Sequence, residues 1–105
     1  MKTTLLLFAL LLLQTDFSNS HYLEQLDFSE DGKLMVGINR DCIILMDTKT
    51  LNILDKYTFS GNYSPNPNIR ISGNGKHLIC ARGRKFYYAK IHRNKIKKLI
   101  IYTCL

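Results

Sequence analysis

The sequence has few cysteines and lacks the glycine-containing motifs of common active sites. Its three cysteines, Cys42, Cys80 and Cys104, are too few and too far apart for a disulfide-rich miniprotein. If the chain is secreted, their odd number leaves at least one thiol free or paired between chains. No Gly-x-Ser-x-Gly turn and no glycine-rich phosphate loop occurs. We therefore predict a protein with no catalytic residues and no cofactor.

Long apolar runs are also absent, except near the amino terminus. Residues 5–13 (LLLFALLLL) are apolar, but this run is too short to cross a bilayer, which takes about 20 residues. Lys2 precedes the run, and Ser18 and Ser20 follow it with the spacing that a signal peptidase needs. We predict a signal peptide over residues 1–20, cleaved after Ser20, and a secreted protein. An uncleaved anchor or an apolar strand is the alternative, and the protein is intracellular if the segment is not a signal.

Acidic residues are missing from the carboxyl-terminal third of the chain. Residues 21–69 contain four basic and seven acidic residues, whereas residues 70–105 contain ten basic residues and no acidic one. This asymmetry indicates a basic face for an anionic partner such as nucleic acid, a polyanionic glycan or a lipid surface. A solvated strand edge, on which lysines prevent aggregation, is the favoured alternative. The candidate anion-binding residues are Arg82, Arg84, Lys85, Arg93, Lys95, Lys97 and Lys98.

Two turn signals divide residues 21–105 into similar halves. Asp31-Gly32 and Asn74-Gly75 are two-residue turns of the kind that closes hairpins, because these residues tolerate a positive φ. A shift of 43 residues superimposes them without a gap. The same shift places Leu26 on Ile69, Phe28 on Ile71, Val36 on Ile79, Ile43 on Phe86, Leu45 on Tyr88, Ile53 on Ile96, Tyr57 on Ile100 and Phe59 on Tyr102. A period in the forties with four strand-like runs in each unit is typical of β-propeller blades.

We therefore predict an all-β protein of two four-stranded antiparallel blades. The first repeat covers residues 21–60, a polar linker covers 61–68, and the second repeat covers 69–105. The predicted strands are 24–28, 33–39, 42–47 and 52–59 in the first repeat, and 68–72, 76–82, 85–91 and 95–102 in the second. The inner strands are apolar on both faces, as strands stacked between sheets are. The fourth strand alternates, which predicts that Ile53, Tyr57 and Phe59 share one face.

The stretch LDFSEDGKLMVGINRDCIILMDTKTLNIL, residues 26–54, resembles a WD-repeat blade. It has a strand, a turn of the Asp-Gly-Lys kind and two apolar strands, and Met46-Asp47 occupies the place of the Trp-Asp dipeptide. The ending LMDTKT is also similar to secreted propeller repeats of the YVTN type. The resemblance implies a propeller fold.

Few residues have a pattern that suggests chemistry. His77 and Cys80 are the only close pair among the histidines and cysteines, but three residues apart on a strand they point to opposite faces. His21 and His92 are predicted to be solvated surface residues. Asn62 begins a glycosylation sequon, Asn62-Tyr63-Ser64. No metal site, catalytic residue or small-molecule substrate is predicted.

Two blades are fewer than a closed propeller needs, which is typically about four to eight. The open blade faces predict a non-enzymatic protein-interaction or assembly module, covered by a protein partner or by self-association. One alternative is a truncated or degenerate fragment of a longer propeller without an independent function. A second alternative is a secreted protein whose basic surface binds polyanions.

Overall fold

The computed structural model describes residues 23–61 and 66–103, which form eight β-strands and, within these ranges, no helix. Blade 1 consists of β1 (Gln25–Phe28), β2 (Leu34–Ile38), β3 (Cys42–Asp47) and β4 (Ile53–Thr58); blade 2 consists of β5 (Asn68–Ile71), β6 (His77–Arg82), β7 (Lys85–His92) and β8 (Lys95–Thr103). Each blade is a sheet with its strands in sequence order, and all neighbours are antiparallel. The predicted fold class is confirmed. The predicted signal peptide with its cleavage after Ser20, the sequon residue Asn62 and Cys104 lie outside the described residues.

The turn between β1 and β2 is built by a serine and an aspartate. Ser29 Oγ donates a hydrogen bond to Asp31 Oδ1 (2.7 Å), which also accepts one from the backbone N–H of Lys33 (2.9 Å). Gly32 has φ = 72°, which glycine adopts without strain, whereas Asp31 has no positive φ. The predicted two-residue turn is therefore wrong, because the loop is closed by the backbone N–H of Ser29, which donates to the carbonyl oxygen of Leu34 (2.9 Å). The hydrogen bonds hold the pKa of Asp31 below its ordinary value, chiefly through the Lys33 N–H and then through Ser29.

The turn between β5 and β6 repeats this arrangement with an amide in place of the carboxylate. Ser72 Oγ donates to Asn74 Oδ1 (2.7 Å), which accepts from the backbone N–H of Lys76 (3.0 Å). Gly75 has φ = 74°. The repeat predicted from two turn dipeptides therefore extends to individual hydrogen bonds.

The two blades pack face to face around one core, which we call the interblade core. Blade 1 contributes Val36, Ile38, Ile43, Leu45 and Phe59, and blade 2 contributes Ile69, Ile71, Leu78, Cys80, Tyr87, Ala89 and Ile91. On the opposite side, the outer face of blade 1 holds a second buried cluster of Leu23, Met35, Cys42, Ile44 and Met46. Blade 1 is therefore buried on both faces, as its apolar inner strands predict.

The 43-residue correspondence holds for the first three strands of each blade and fails for the fourth. Leu45 pairs with Asp55, whereas Tyr88, which corresponds to Leu45, pairs with Ile100. The offset between β4 and β8 is therefore 45 residues. The reason is the length of the hairpins. Strands β7 and β8 pair as far as His92 and Lys95, which leaves a two-residue turn, whereas the pairing of β3 with β4 ends at Met46 and Ile53. The predicted matches Ile53 to Ile96, Tyr57 to Ile100 and Phe59 to Tyr102 are wrong, although a shift of two keeps each side chain on its face.

The prediction that Ile53 shares a face with Tyr57 and Phe59 is also wrong. The pairing of β3 with β4 shifts register between Leu45 and Met46, so that Ile53 lies opposite Met46. Ile53 therefore points to the outer side of blade 1 and is 43% exposed. One extra residue in a strand reverses the alternation beyond it, and the sequence pattern does not reveal this bulge.

Candidate functional site

The face of blade 2 that points away from blade 1 is an exposed apolar surface, which we call the outer face of blade 2. Strand pairing arranges it in two rows: Arg70, Ile79, Tyr88 and Ile100 form one, and Ala81, Phe86 and Tyr102 form the other. The exposed fractions are 55% for Ile79, 48% for Phe86, 44% for Ile100 and 58% for Tyr102. Scattered exposed apolar residues are ordinary, but a contiguous group marks an interaction surface.

The corresponding positions of blade 1 are completely covered. Val36, Ile43 and Leu45 correspond to Ile79, Phe86 and Tyr88, and each of the three blade 1 residues is 0% exposed because blade 2 packs on them. The inner strands of blade 2 are thus apolar on both faces, as predicted, but only one of those faces is buried. The structure therefore shows both the covered and the uncovered form of the same repeat surface.

Two carboxylates of blade 1 accept hydrogen bonds from the backbone of blade 2. Asp27 Oδ2 accepts a hydrogen bond from the backbone N–H of Ile71 (3.0 Å), and Asp55 Oδ2 accepts one from the backbone N–H of Ile96 (2.7 Å). These bonds satisfy amide groups that would otherwise lack an acceptor at the blade interface.

Neither carboxylate is repeated on the outer face of blade 2. Strand pairing places Arg70 where blade 1 has Asp27, and Ile100 where blade 1 has Asp55. The outer face of blade 2 consequently lacks the two groups that accept amide hydrogen bonds, and it offers a guanidinium donor instead. Blade 2 supplies backbone N–H donors to the carboxylates of blade 1, whereas a protein that covers the outer face of blade 2 must supply hydrogen-bond acceptors for Arg70.

Aromatic side chains close one edge of the interblade core. The ring of Phe59 lies 5.6 Å from that of Tyr57 and 5.1 Å from that of Tyr87, both edge to face. The guanidinium of Arg82 stacks 4.5 Å above the Phe59 ring, and Arg82 is only 6% exposed. The structure thus places this predicted anion-binding residue within the packing between blades.

The remaining predicted anion-binding residues do not form one patch. Arg84 and Lys85 lie at the turn between β6 and β7, whereas Arg93, Lys95, Lys97 and Lys98 lie at or after the turn between β7 and β8. The eight residues of β7 separate these turns by roughly 25 Å. Lys95 Nζ also donates to the carbonyl oxygen of Leu54 (3.2 Å) across the blade interface.

A hollow at the second of these ends collects basic residues from three segments of blade 2, and we call it the basic hollow. It has a volume of about 580 Å³. Its lining residues are Lys76, His77, Lys90, Ile91, His92, Lys97 and Lys98. The sequence singled out only Lys97 and Lys98 as anion-binding candidates, because the others join them through strand pairing between residues distant in the chain. The nearest signal is the absence of any acidic residue after Ile69.

The described residues give no sign of metal or thiol chemistry. His77 lies on the outer face of blade 2 and Cys80 in the interblade core, and no group of three or more potential metal ligands occurs within residues 23–61 and 66–103. Burial raises the pKa of the Cys80 thiol to about 12, against a smaller opposing effect of Arg82, and burial also raises the pKa of Cys42. Neither thiol is ionised at neutral pH, so neither is a ready nucleophile.

No helix that could cross a membrane occurs in the described part of the chain.

Comparison with known proteins places the chain by its fold alone. No family model matches the sequence, and no curated protein is significantly similar to it. Among solved structures, the β-propeller domain of Cps50 (Swd1) from Myceliophteria thermophila matches with a TM-score of 0.56 and 10% sequence identity. The match covers 76% of this chain and 29% of that one, so this chain spans less than a third of its length. The propeller-like fold is thereby confirmed, whereas the WD-repeat assignment stays a prediction.

Proposed function

We propose that this chain is a non-enzymatic protein-interaction module that binds a partner's β-sheet through the outer face of blade 2. The observation that carries the proposal is the exposure of Ile79, Phe86, Ile100 and Tyr102 on a surface whose equivalent in blade 1 is covered by another blade. Burying one such side chain contributes about 1.5–3 kcal/mol, so covering the group provides a substantial driving force for association. Secretion after removal of residues 1–20 remains part of this proposal.

The partner that fits this face is another protein with an apolar sheet surface that carries a carboxylate. Within the chain, an aliphatic sheet covers the equivalent face, which supports a sheet as the occupant. Arg70 replaces Asp27 at the edge of the face, and a guanidinium favours a carboxylate acceptor with which it forms two parallel hydrogen bonds. The absence of acidic residues after Ile69 adds a long-range attraction for an acidic partner.

A second copy of this chain fits less well. A contact between two outer faces of blade 2 would bring Arg70 and Lys90 of both copies together, and like charges oppose such an interface. We therefore expect the purified chain to be monomeric in sedimentation velocity; a discrete oligomer would overturn the choice of another protein as the occupant.

Site-specific crosslinking tests the docking face directly. A photoreactive p-benzoylphenylalanine replaces Phe86 in one variant and Leu51 in a matched control, because Leu51 is 42% exposed but lies in the turn after β3 of blade 1. We expect a discrete protein adduct, in the source cells or in their medium, from position 86 and none from position 51. The protein in that adduct is then identified, purified and titrated against the chain. Equal adducts from both positions would contradict the proposal.

The reconstituted complex provides the decisive measurement. Ile79→Glu places a charge at the centre of the face and is expected to weaken binding at least ~10-fold, since it removes about 1.5–3 kcal/mol of burial. Leu51→Glu is expected to leave the affinity within about twofold. Equal affinities for the wild type and Ile79→Glu would refute the docking face. A chain without a cooperative unfolding transition would instead support the degenerate-fragment hypothesis.

A further inference from the structure

The basic hollow holds four lysines and two histidines with no carboxylate among its lining residues. Lys76 comes from the turn before β6 and Lys90 from β7, and Lys97 and Lys98 come from β8. All four lysines are exposed, so their ammonium groups keep their hydration, and all four line the same hollow. Four like charges around one hollow create a positive potential that a multiply charged anion relieves.

The equivalent end of blade 1 is not basic in this way. Asp47 pairs with Leu34 as Lys90 pairs with His77, so that blade 1 has a carboxylate where blade 2 has an ammonium. Asp47 Oδ1 accepts the backbone N–H groups of Lys49 (2.8 Å) and Thr50 (3.1 Å) and so completes a turn. Blade 1 forms the same four-stranded sheet with a carboxylate at this position, which shows that the blade fold does not require a lysine there.

An irregularity in strand pairing helps to bring two adjacent lysines to the hollow. The register of β7 and β8 shifts between Tyr88 and Lys90, and Lys98 has φ = 51°. Neighbouring residues on a regular strand point to opposite faces, yet Lys97 and Lys98 both line the hollow. A positive φ is uncommon for lysine. Blade 1 has a register shift at the equivalent point, between Leu45 and Met46, so the irregularity belongs to the repeat, and in blade 2 it redirects a lysine.

We propose that the basic hollow binds a small organic anion that carries two or more phosphate or sulfate groups. Lysine ammonium groups suit these anions because each acts as a mobile point charge with three donors. The volume of about 580 Å³ accommodates a sugar-sized molecule. This site goes beyond the docking function, since its lining residues differ from the two apolar rows of the outer face.

Calorimetric titration of the full chain with inositol hexakisphosphate tests the site. The double variant Lys90→Gln/Lys97→Gln is expected to weaken binding on the order of 10-fold or more, because it removes two charge-assisted contacts. The matched control is Arg84→Gln/Lys85→Gln, which removes the same charge at the opposite end of β7 and should leave the affinity within about twofold. Urea unfolding of all three proteins confirms that they are folded.

The controls separate a specific site from an effect of net charge. The proposal would be overturned if the two double variants weakened binding of the anion equally, or if the wild type bound neither inositol hexakisphosphate nor vesicles that contain phosphatidylinositol bisphosphate. Vesicles that contain phosphatidylinositol bisphosphate form a second arm with the same variants. Binding to vesicles with the same dependence on Lys90 and Lys97 would assign the phosphate groups to a lipid headgroup, whereas binding to the free inositol phosphate alone would assign them to a soluble molecule.

Discussion

The contact between the two blades can be tested at Phe59, which lies at the edge of the interblade core. Its ring is 9% exposed, packs against Tyr57 and Tyr87, and lies under the guanidinium of Arg82. Truncation of a buried phenylalanine to alanine costs about 3–5 kcal/mol, and the loss of the cation–π contact is part of that cost. Because Phe59 lies at the edge of the core, we expect Phe59→Ala to lower the free energy of unfolding by about 3 kcal/mol.

This loss is large for so small a protein. A domain of this size typically has an unfolding free energy of about 4–12 kcal/mol, so Phe59→Ala would remove a quarter or more of it. Equilibrium unfolding in urea, followed by circular dichroism and tyrosine fluorescence, measures the change without interference from tryptophan, which the chain lacks. Phe59→Leu keeps most of the volume and should cost about 1 kcal/mol, which keeps the test informative if the alanine variant fails to fold.

Phe86 provides the matched control. It is the same residue type, but it is 48% exposed on the outer face of blade 2, so Phe86→Ala should change the unfolding free energy by less than about 1 kcal/mol. The two variants thus differ by about 2 kcal/mol or more if the blades form one cooperative unit. Equal losses for Phe59→Ala and Phe86→Ala would refute the packing argument and would show that the interblade core does not hold the fold together.

Three further predictions concern other positions. Since the pKa of Cys80 is raised to about 12 from an ordinary value of 9.0, the unfolded chain loses this proton first, and stability should fall by about 1.4 kcal/mol per pH unit between about pH 9 and 12; Cys80→Ala should flatten this slope in urea midpoints measured against pH. Asp31→Asn should leave the thermal midpoint at pH 7 unchanged, because Asn74 makes the same bonds in blade 2, whereas Asp31→Ala should lower it. The lowered pKa of Asp31 also predicts that the wild type loses stability relative to Asp31→Asn as the pH falls below 3.8, and equal acid profiles would contradict this. Gly37→Ala would place a Cβ 2.9 Å from Leu23 Cδ1, and since that methyl group can move, the cost should be about 1 kcal/mol in urea unfolding.

The strands were predictable because their signals are local. Asp31-Gly32 and Asn74-Gly75 mark turns because the glycines adopt a positive φ and the preceding side chains hydrogen-bond within the turn, and apolar runs on either side define the strands to within two residues. The repeat then fixed which strands are equivalent. The correspondence failed at the fourth strand because the β7–β8 hairpin is longer than the β3–β4 hairpin, as the pairing of Leu45 with Asp55 and of Tyr88 with Ile100 shows. The predicted alternation in β4 failed for a separate reason, which is the bulge before Ile53.

The candidate sites were less predictable than the strands. The basic residues were visible in the sequence, but Arg82 packs on Phe59, and Arg84 lies at the opposite end of β7 from Lys97. The basic hollow also includes Lys90, which the sequence did not single out. The number of basic residues does not reveal which of their side chains share a surface. In the fold, neighbours along a strand point to opposite faces, and residues from different strands come together.

The sequence by itself determined the all-β class, the two blades, the turns that begin them and the excess of basic residues after Ile69, because each depends on residue type and short-range order. Only the tertiary structure decided which apolar surface is covered. Val36 and Ile79 are equivalent by sequence, but one is 0% and the other 55% exposed. The physical reason is that burial depends on what packs against a face, and blade 2 covers blade 1 while its own outer face remains open.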